Sequence, residues 1–257
     1  MTFVRPAVSS FRIRWWTYKR LWRTGALVSF VQPVFTMLAL GVGVGGLIVN
    51  RTSLGGLNYA TFIGPGLLVS SCMMTGAVEG MWMVLDAFQW NRLYHSQVAS
   101  PLTPRDVVRG HALWIIVRVG IGAVMVAAAL TVFPSTRSIG VLAAVPVAVG
   151  CGLAFGMPMA AYSATIERDV AFANINRFVL NPLYLFAGAF FPLAQLPTWL
   201  RSIVAVFPLW HAIELARGAM TSTAPAWPWL LHLSILAVWI VGGMQACFHT
   251  FTKRLAQ

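Results

Sequence analysis

Apolar residues fall in long runs along this chain, each close to the roughly 20 residues a helix needs to cross a bilayer. Gly25–Asn50 carries no charge, and Ala60–Leu85 carries only Glu79. His111–Val132 holds only Arg118, and Ile139–Ala164 is uncharged but contains Pro146 and Pro158. Val170–Phe191 includes Arg177 and stops at Pro192, and the last run is Trp229–Phe251. The pattern predicts six spans, with the fifth the least regular.

Two stretches outside the runs have a pattern of their own. At 100° per residue, Val8, Phe11, Trp15, Tyr18 and Trp22 share one narrow helical face, bordered by Arg12, Lys19 and Arg23. A basic, aromatic helix of this kind lies in the headgroup plane. Residues 1–24 are therefore read as an amphipathic interface helix and 25–257 as the six-helix domain. Between spans five and six, residues 191–226 hold Pro192, Pro197 and Pro208 among many apolar residues. They are too interrupted for a span and too apolar for a free loop, which predicts an outer re-entrant helical segment.

Composition narrows the class. Charged residues make up 9% of the 257, against about 25% in soluble domains. That excludes a soluble enzyme, a disordered tail and a nucleic-acid-binding domain. The net charge of +12 is instead a topology signal. With the N-terminus cytoplasmic, thirteen basic residues fall on the cytoplasmic side and four on the other. Both termini are then cytoplasmic, as an even span count requires. Only Lys19 and Lys253 are lysines, a bias that fits a GC-rich genome. Cys72, Cys151 and Cys247 lie in apolar runs without metal-ligand spacing and read as buried, unpaired thiols.

The segment 87–110 joins spans two and three on the cytoplasmic side. Thr103 and Pro104 read as an N-cap and first helical residue, with Asp106 at the positive helix end. The segment is too apolar for a solvated linker and suits the docking of a cytoplasmic partner. Glu79 and Arg118 each sit eight residues inside their spans, about 12 Å deep. Antiparallel neighbours place them at similar depth, either as an ion pair or as charges on a path. Gly152 and Gly156 form a close-packing step on span four. Asn174, Asn176 and Asn181 make span five polar, for a route or for bonds between helices.

Phe186–Leu200, FAGAFFPLAQLPTWL, followed by Phe207–Arg217, FPLWHAIELAR, resembles the signature region of type-2 ABC exporter permeases. The similarity is strongest to the branch of nodulation lipo-oligosaccharide and daunorubicin-type exporters. Ser100–Asp106 is similar to a threonine-proline-leucine segment of that family, but Gln89–Arg92 replaces the acidic-arginine pairs found there. The resemblance implies the permease subunit of an ATP-driven exporter in a bacterial cell membrane, moving a lipid-linked, glycolipid or drug-like amphiphile outward. It implies two copies of a cytoplasmic ATPase and a second permease, as homodimer or heterodimer. This chain then binds no cofactor; ATP and Mg belong to the partner, and no phosphate-binding G-x-x-x-x-G-K-[ST] is present.

Within that reading, Leu93, Tyr94, Pro101 and Leu102 form an apolar plug for the ATPase. His211, Glu214 and Arg217, three apart on one helix, make an outer gate, a headgroup contact or a polar stitch. A membrane-embedded transferase and a non-transporting scaffold are the alternatives. Six acidic residues without a His/Asp cluster count against the transferase.

Overall fold

The computed structural model describes residues 4–47 and 54–256, without the side chains of residues 4–5, 17, 20–26, 28 and 29. The Trp22 side chain and the whole of Arg51 thus lie outside what is described. The described chain is helical, without a strand. The helices are α1 (Val4–Thr36), α2 (Tyr59–Gln89), α3 (Leu93–Val98), α4 (Pro104–Thr131) and α5 (Val141–Ser163). They continue with α6 (Val170–Ile175), α7 (Asn181–Phe186), α8 (Thr198–Val206), α9 (Pro208–Thr221) and α10 (Trp229–Leu255). Five helices are long and apolar enough to span a membrane, and a sixth results if the bent α8–α9 pair counts as one.

A helix covers the stretch read as amphipathic. It runs into the first span without a break, from Val4 to Thr36, and ends in a π-helical stretch, Met37–Val44. The aromatic face explains why. Phe11, tilted, and Tyr18, edge-on, pack against Trp114 of α4, with ring centroids 6.3 and 5.4 Å apart. The face that pattern alone turned toward lipid headgroups is thus turned toward protein. A β-carbon on Gly110 of α4 would lie 2.6 Å from Ser10, so glycine permits this close approach.

Helix α5 is the axis of the bundle. Gly152 and Gly156 cross α2 at Gly76 and Gly80, and a β-carbon on either α2 glycine would collide with the facing carbonyl. The four-residue spacing repeats on both helices, which gives backbone-to-backbone packing without large side chains. The three cysteines are buried and free.

The fifth crossing is broken. α6 and α7 have six residues each and flank a π turn, Asn176–Leu180. The chain turns at Gly188, with φ +85, before reaching Phe191. It still passes from end to end. Ser163, before it, accepts from Arg254 near the C-terminus, while Gly188, after it, accepts from Arg217 at the opposite end. Beyond it α8 and α9 meet at 87°. Pro208 to Ile213 are buried, so α9 packs into the bundle.

Candidate functional site

At the end of the bundle that carries both termini, α3 is held from three sides. Left-handed Arg92 turns the chain from α2 into it. On the other side, Thr103 and Asp106 form a reciprocal capping box that starts α4. Tyr94 is 1% exposed and sits against Phe88 and Phe251. Arg14 of α1 donates to the Tyr94 hydroxyl at 2.7 Å, and that hydroxyl is 3.2 Å from Nδ1 of His111 on α4. Burial pushes the Tyr94 hydroxyl up to about 12, so it stays protonated and can donate to His111. Ser10 donates to Oε1 of Gln97 at 2.8 Å, a second tie from α1 to α3.

This corrects the expectation that Tyr94 belongs to a docking plug. Its ring is enclosed because a short helix between two long ones must bury one face, and Tyr94 and Gln97 lie on it. Leu93 is half-buried against the core. Pro101 is exposed and Leu102 half-buried, and both line a groove with Pro6, Arg12 and Trp16 of α1. Trp90, 63% exposed, and Arg92 project beside them.

Beneath α3 the structure brings Glu79 and Arg118 together, with Nε 3.5 Å from Oε1. Glu79 is 7% exposed and also accepts from Trp114 Nε1 at 2.7 Å. The Arg118 guanidinium lies 5.3 Å from the ring centre of Tyr18 on α1. The charges therefore join α2 to α4 and, through Tyr18, to α1. Sequence reading missed Arg14. Its signal was present: on the helical wheel Arg14 lies beside Phe11 and Tyr18, opposite the Arg12, Lys19 and Arg23 border. A basic residue on the buried edge of an aromatic face needs a partner, and Tyr94 is that partner.

At the opposite end, Arg217 pairs with Glu214 at 2.7 Å and donates to the Gly188 carbonyl at 2.6 Å. It is 8% exposed and stacks 4.0 Å from the centre of Phe62. The other oxygen of Glu214 accepts from the Ala226 amide at 3.2 Å. His211 does not join this pair. Its Nδ1 is 2.8 Å from Nδ1 of His232 on α10, and its Nε2 is 2.8 Å from the Ala205 carbonyl. A carbonyl only accepts, so Nε2 of His211 carries the proton and His232 donates from Nδ1. His232 was not legible because 21 residues and the connection between α9 and α10 separate the partners. Among the described residues no group of three or more His, Cys, Asp or Glu side chains could hold a metal.

Residues 8–221 match the family described as ABC-2 type transporter. The chain belongs to the ABC-2 type transporter family. It is 28% identical over 227 residues to nodulation protein J of Rhizobium leguminosarum bv. viciae, covering 86% of this chain and 85% of the relative. It is 30% identical over 226 residues to nodulation protein J of Sinorhizobium fredii, covering 86% and 84%. Over 252 residues it is 24% identical to the daunorubicin resistance ABC transporter permease protein DrrB1 of Streptomyces coeruleorubidus, covering 93% and 85%. In this ABC-2 permease both polar clusters lie inside the matched stretch, apart from His232 and Ala226.

Proposed function

We propose that this permease is the membrane subunit of an ATP-driven exporter for an amphiphilic substrate. A separate ATPase, two copies per assembly, binds ATP and Mg, and a second permease completes the path. The end carrying the termini faces the cytoplasm, in accord with its excess of basic residues. The names of the relatives, tied to nodulation and to daunorubicin resistance, support an exported small molecule rather than a protein.

One observation carries the reading. Helix α3 and its flanks expose Trp90, Arg92 and Pro101, while its buried face is bonded through Tyr94 and Gln97 to α1 and α4. A partner seated on the exposed side moves α3 as a unit. The bonds behind it pass that motion to two long helices and, one layer deeper, to the Glu79–Arg118 pair. The ATPase contact is therefore assigned to Trp90, Arg92, Pro101 and Leu102, with Leu93 as support and Tyr94 as transmitter.

The test is co-purification of the cognate ATPase with this chain, followed by ATP hydrolysis in proteoliposomes with and without lipid extract from the source cells. Stimulated hydrolysis is expected. A chain that retains no ATPase, or whose ATPase is indifferent to every extract fraction, overturns the proposal.

A further inference from the structure

At the end that carries both termini, the start of α4 meets the finish of α10, and a groove of about 430 Å3 lies between them. Arg105, Gln245, Phe248, His249, Thr252 and Lys253 line it, two permanent cations from two helices and no carboxylate. Arg105, His249 and Lys253 are exposed, and among the described residues none of the three has a hydrogen bond or an ion pair. Arg105 is the second residue of α4, so its charge stands at the positive end of that helix, where a cation is disfavoured unless an anion joins it. Asp106 does not serve Arg105. It is 8% exposed, accepts from the Thr103 amide at 3.1 Å and pairs with Arg109 at 3.6 Å. The cluster therefore attracts an anion from outside the chain.

Depth and floor decide which anion. Lys253 is two residues from the end of α10, at headgroup level. His249 and Gln245 follow one and two turns further in, about 6 and 12 Å at 1.5 Å per residue. Their N–H groups stand on the side of the groove where the ester carbonyls of a glycerolipid follow its phosphate. Below them the surface is apolar. Phe248 lines the groove, and Val241 and Val238 are exposed one and two turns beyond Gln245. On α4, Ile116 is exposed and, at 100° per residue, lies within about 20° of Arg105. Free phosphate or a nucleotide uses none of this apolar lane, whereas an acyl chain covers it.

Charge decides the head. A choline or ethanolamine head brings an ammonium beside Arg105 and Lys253 and finds no carboxylate in the groove. On the other side of α10, a second groove shares His249 and Lys253 but also holds Glu167, and its Arg254 donates to the Ser163 and Ile166 carbonyls. A phosphate is thus drawn to the α4 side.

We propose that the α4–α10 groove binds an anionic glycerophospholipid, with its phosphate on Arg105 and Lys253 and its tails along Phe248, Ile116 and Val241. Basic pockets between spanning helices at the cytoplasmic face recognise lipid heads in this way. Bound there, the lipid ties the first turn of α4 to the last turn of α10, beside the Thr103–Asp106 box that leads out of α3. Binding does not depend on the exporter reading.

The test is native mass spectrometry of the full chain in maltoside micelles. Dioleoyl phosphatidylglycerol and dioleoyl phosphatidylcholine, which share their tails, are titrated, with glycerol 3-phosphate as competitor. First-site affinity is expected to be about 25-fold higher for phosphatidylglycerol, about fivefold for each of the two cations. Glycerol phosphate at equal concentration should not displace it. Arg105→Gln with Lys253→Gln should bring phosphatidylglycerol down to the level of phosphatidylcholine. Arg12→Gln with Arg168→Gln removes the same charge from exposed positions at the same end and should change neither affinity. If the Arg105–Lys253 variant does not fold, Lys253→Gln alone is read, with a loss of about fivefold. Equal affinity for the two lipids, or undiminished affinity in the folded groove variant, overturns the proposal. So does displacement by glycerol phosphate, which marks a phosphate site without lipid, or an equal loss in the Arg12–Arg168 variant, which marks a diffuse basic surface.

Discussion

The two ends of the bundle each pair a glutamate with an arginine beside an aromatic ring, one charge of each pair buried and the other half-buried, yet they connect different things. At the outer end Glu214 and Arg217 are three residues apart on α9, paired at 2.7 Å. Among the described residues their further hydrogen bonds go to Gly188 and Ala226, in the turns on either side of α8 and α9, and Arg217 also lies over the Phe62 ring of α2. At the inner end Glu79, Arg118, Arg14 and Tyr94 come from α2, α4, α1 and α3, and the ion pair is longer, 3.5 Å. The outer set fastens α9 to its own flanking turns and to one ring of α2. The inner set is a junction among four elements. One is suited to hold shape, the other to pass motion.

Removing one outer partner should have the largest effect on stability. Glu214→Ala leaves Arg217 buried without its counter-charge and the Ala226 amide without its acceptor. A loss of about 3–5 kcal/mol is expected, read as a lower unfolding temperature in nanodiscs. Glu214→Ala with Arg217→Leu should recover part of it, because no unpaired charge remains. Unchanged melting of the single variant would return this triad to a gating or headgroup role.

Glu79→Leu comes next. Arg118 keeps some solvent contact and the Tyr18 ring, so about 2–3 kcal/mol is expected, including the lost acceptor for Trp114. Here the comparison is sharpened by function: ATP hydrolysis should lose its response to substrate, whereas Glu79→Gln, which still accepts from Trp114, should keep part of it. Arg14→Leu should cost less, about 1.5 kcal/mol, since Tyr94 retains His111. Its effect on stimulated hydrolysis should equal that of Tyr94→Phe. A large difference between those two variants would separate Arg14 from the path through α3.

Much of this architecture was legible in sequence, and the omissions have physical causes. Span positions follow from apolar run length, because lipid imposes the same length on every crossing. The α2–α5 crossing was half legible: Gly152 and Gly156 stood out, while their partners Gly76 and Gly80 needed a second helix to give them meaning. The helix over residues 4–36 was split at residue 24 because charge ends there, although nothing in the backbone does. Tyr94 was placed outside because a six-residue helix has too few positions to reveal its buried face. The Glu79–Arg118 approach was accessible through depth arithmetic alone. His232 was not, because the turn that folds α10 against α9 carries no sign of which residues will meet.

The smallest effect on stability is expected where the effect on partnership is greatest. Trp90 is 63% exposed and Pro101 is exposed, and neither packs in the core. Trp90→Ala with Pro101→Ala should shift unfolding by no more than about 0.5 kcal/mol, as exposed substitutions do. The same variant should retain several-fold less ATPase on purification, because a large exposed aromatic beside a rigid turn is the kind of anchor that carries binding energy. Tyr94→Phe should do the reverse, keeping the ATPase bound while weakening its response to substrate. One variant changes the exposed flanks of α3, the other its buried face. If both lose the ATPase equally, the division of α3 into a contact face and a transmitting face fails, and with it the contrast between a junction that passes motion and a stitch that holds shape.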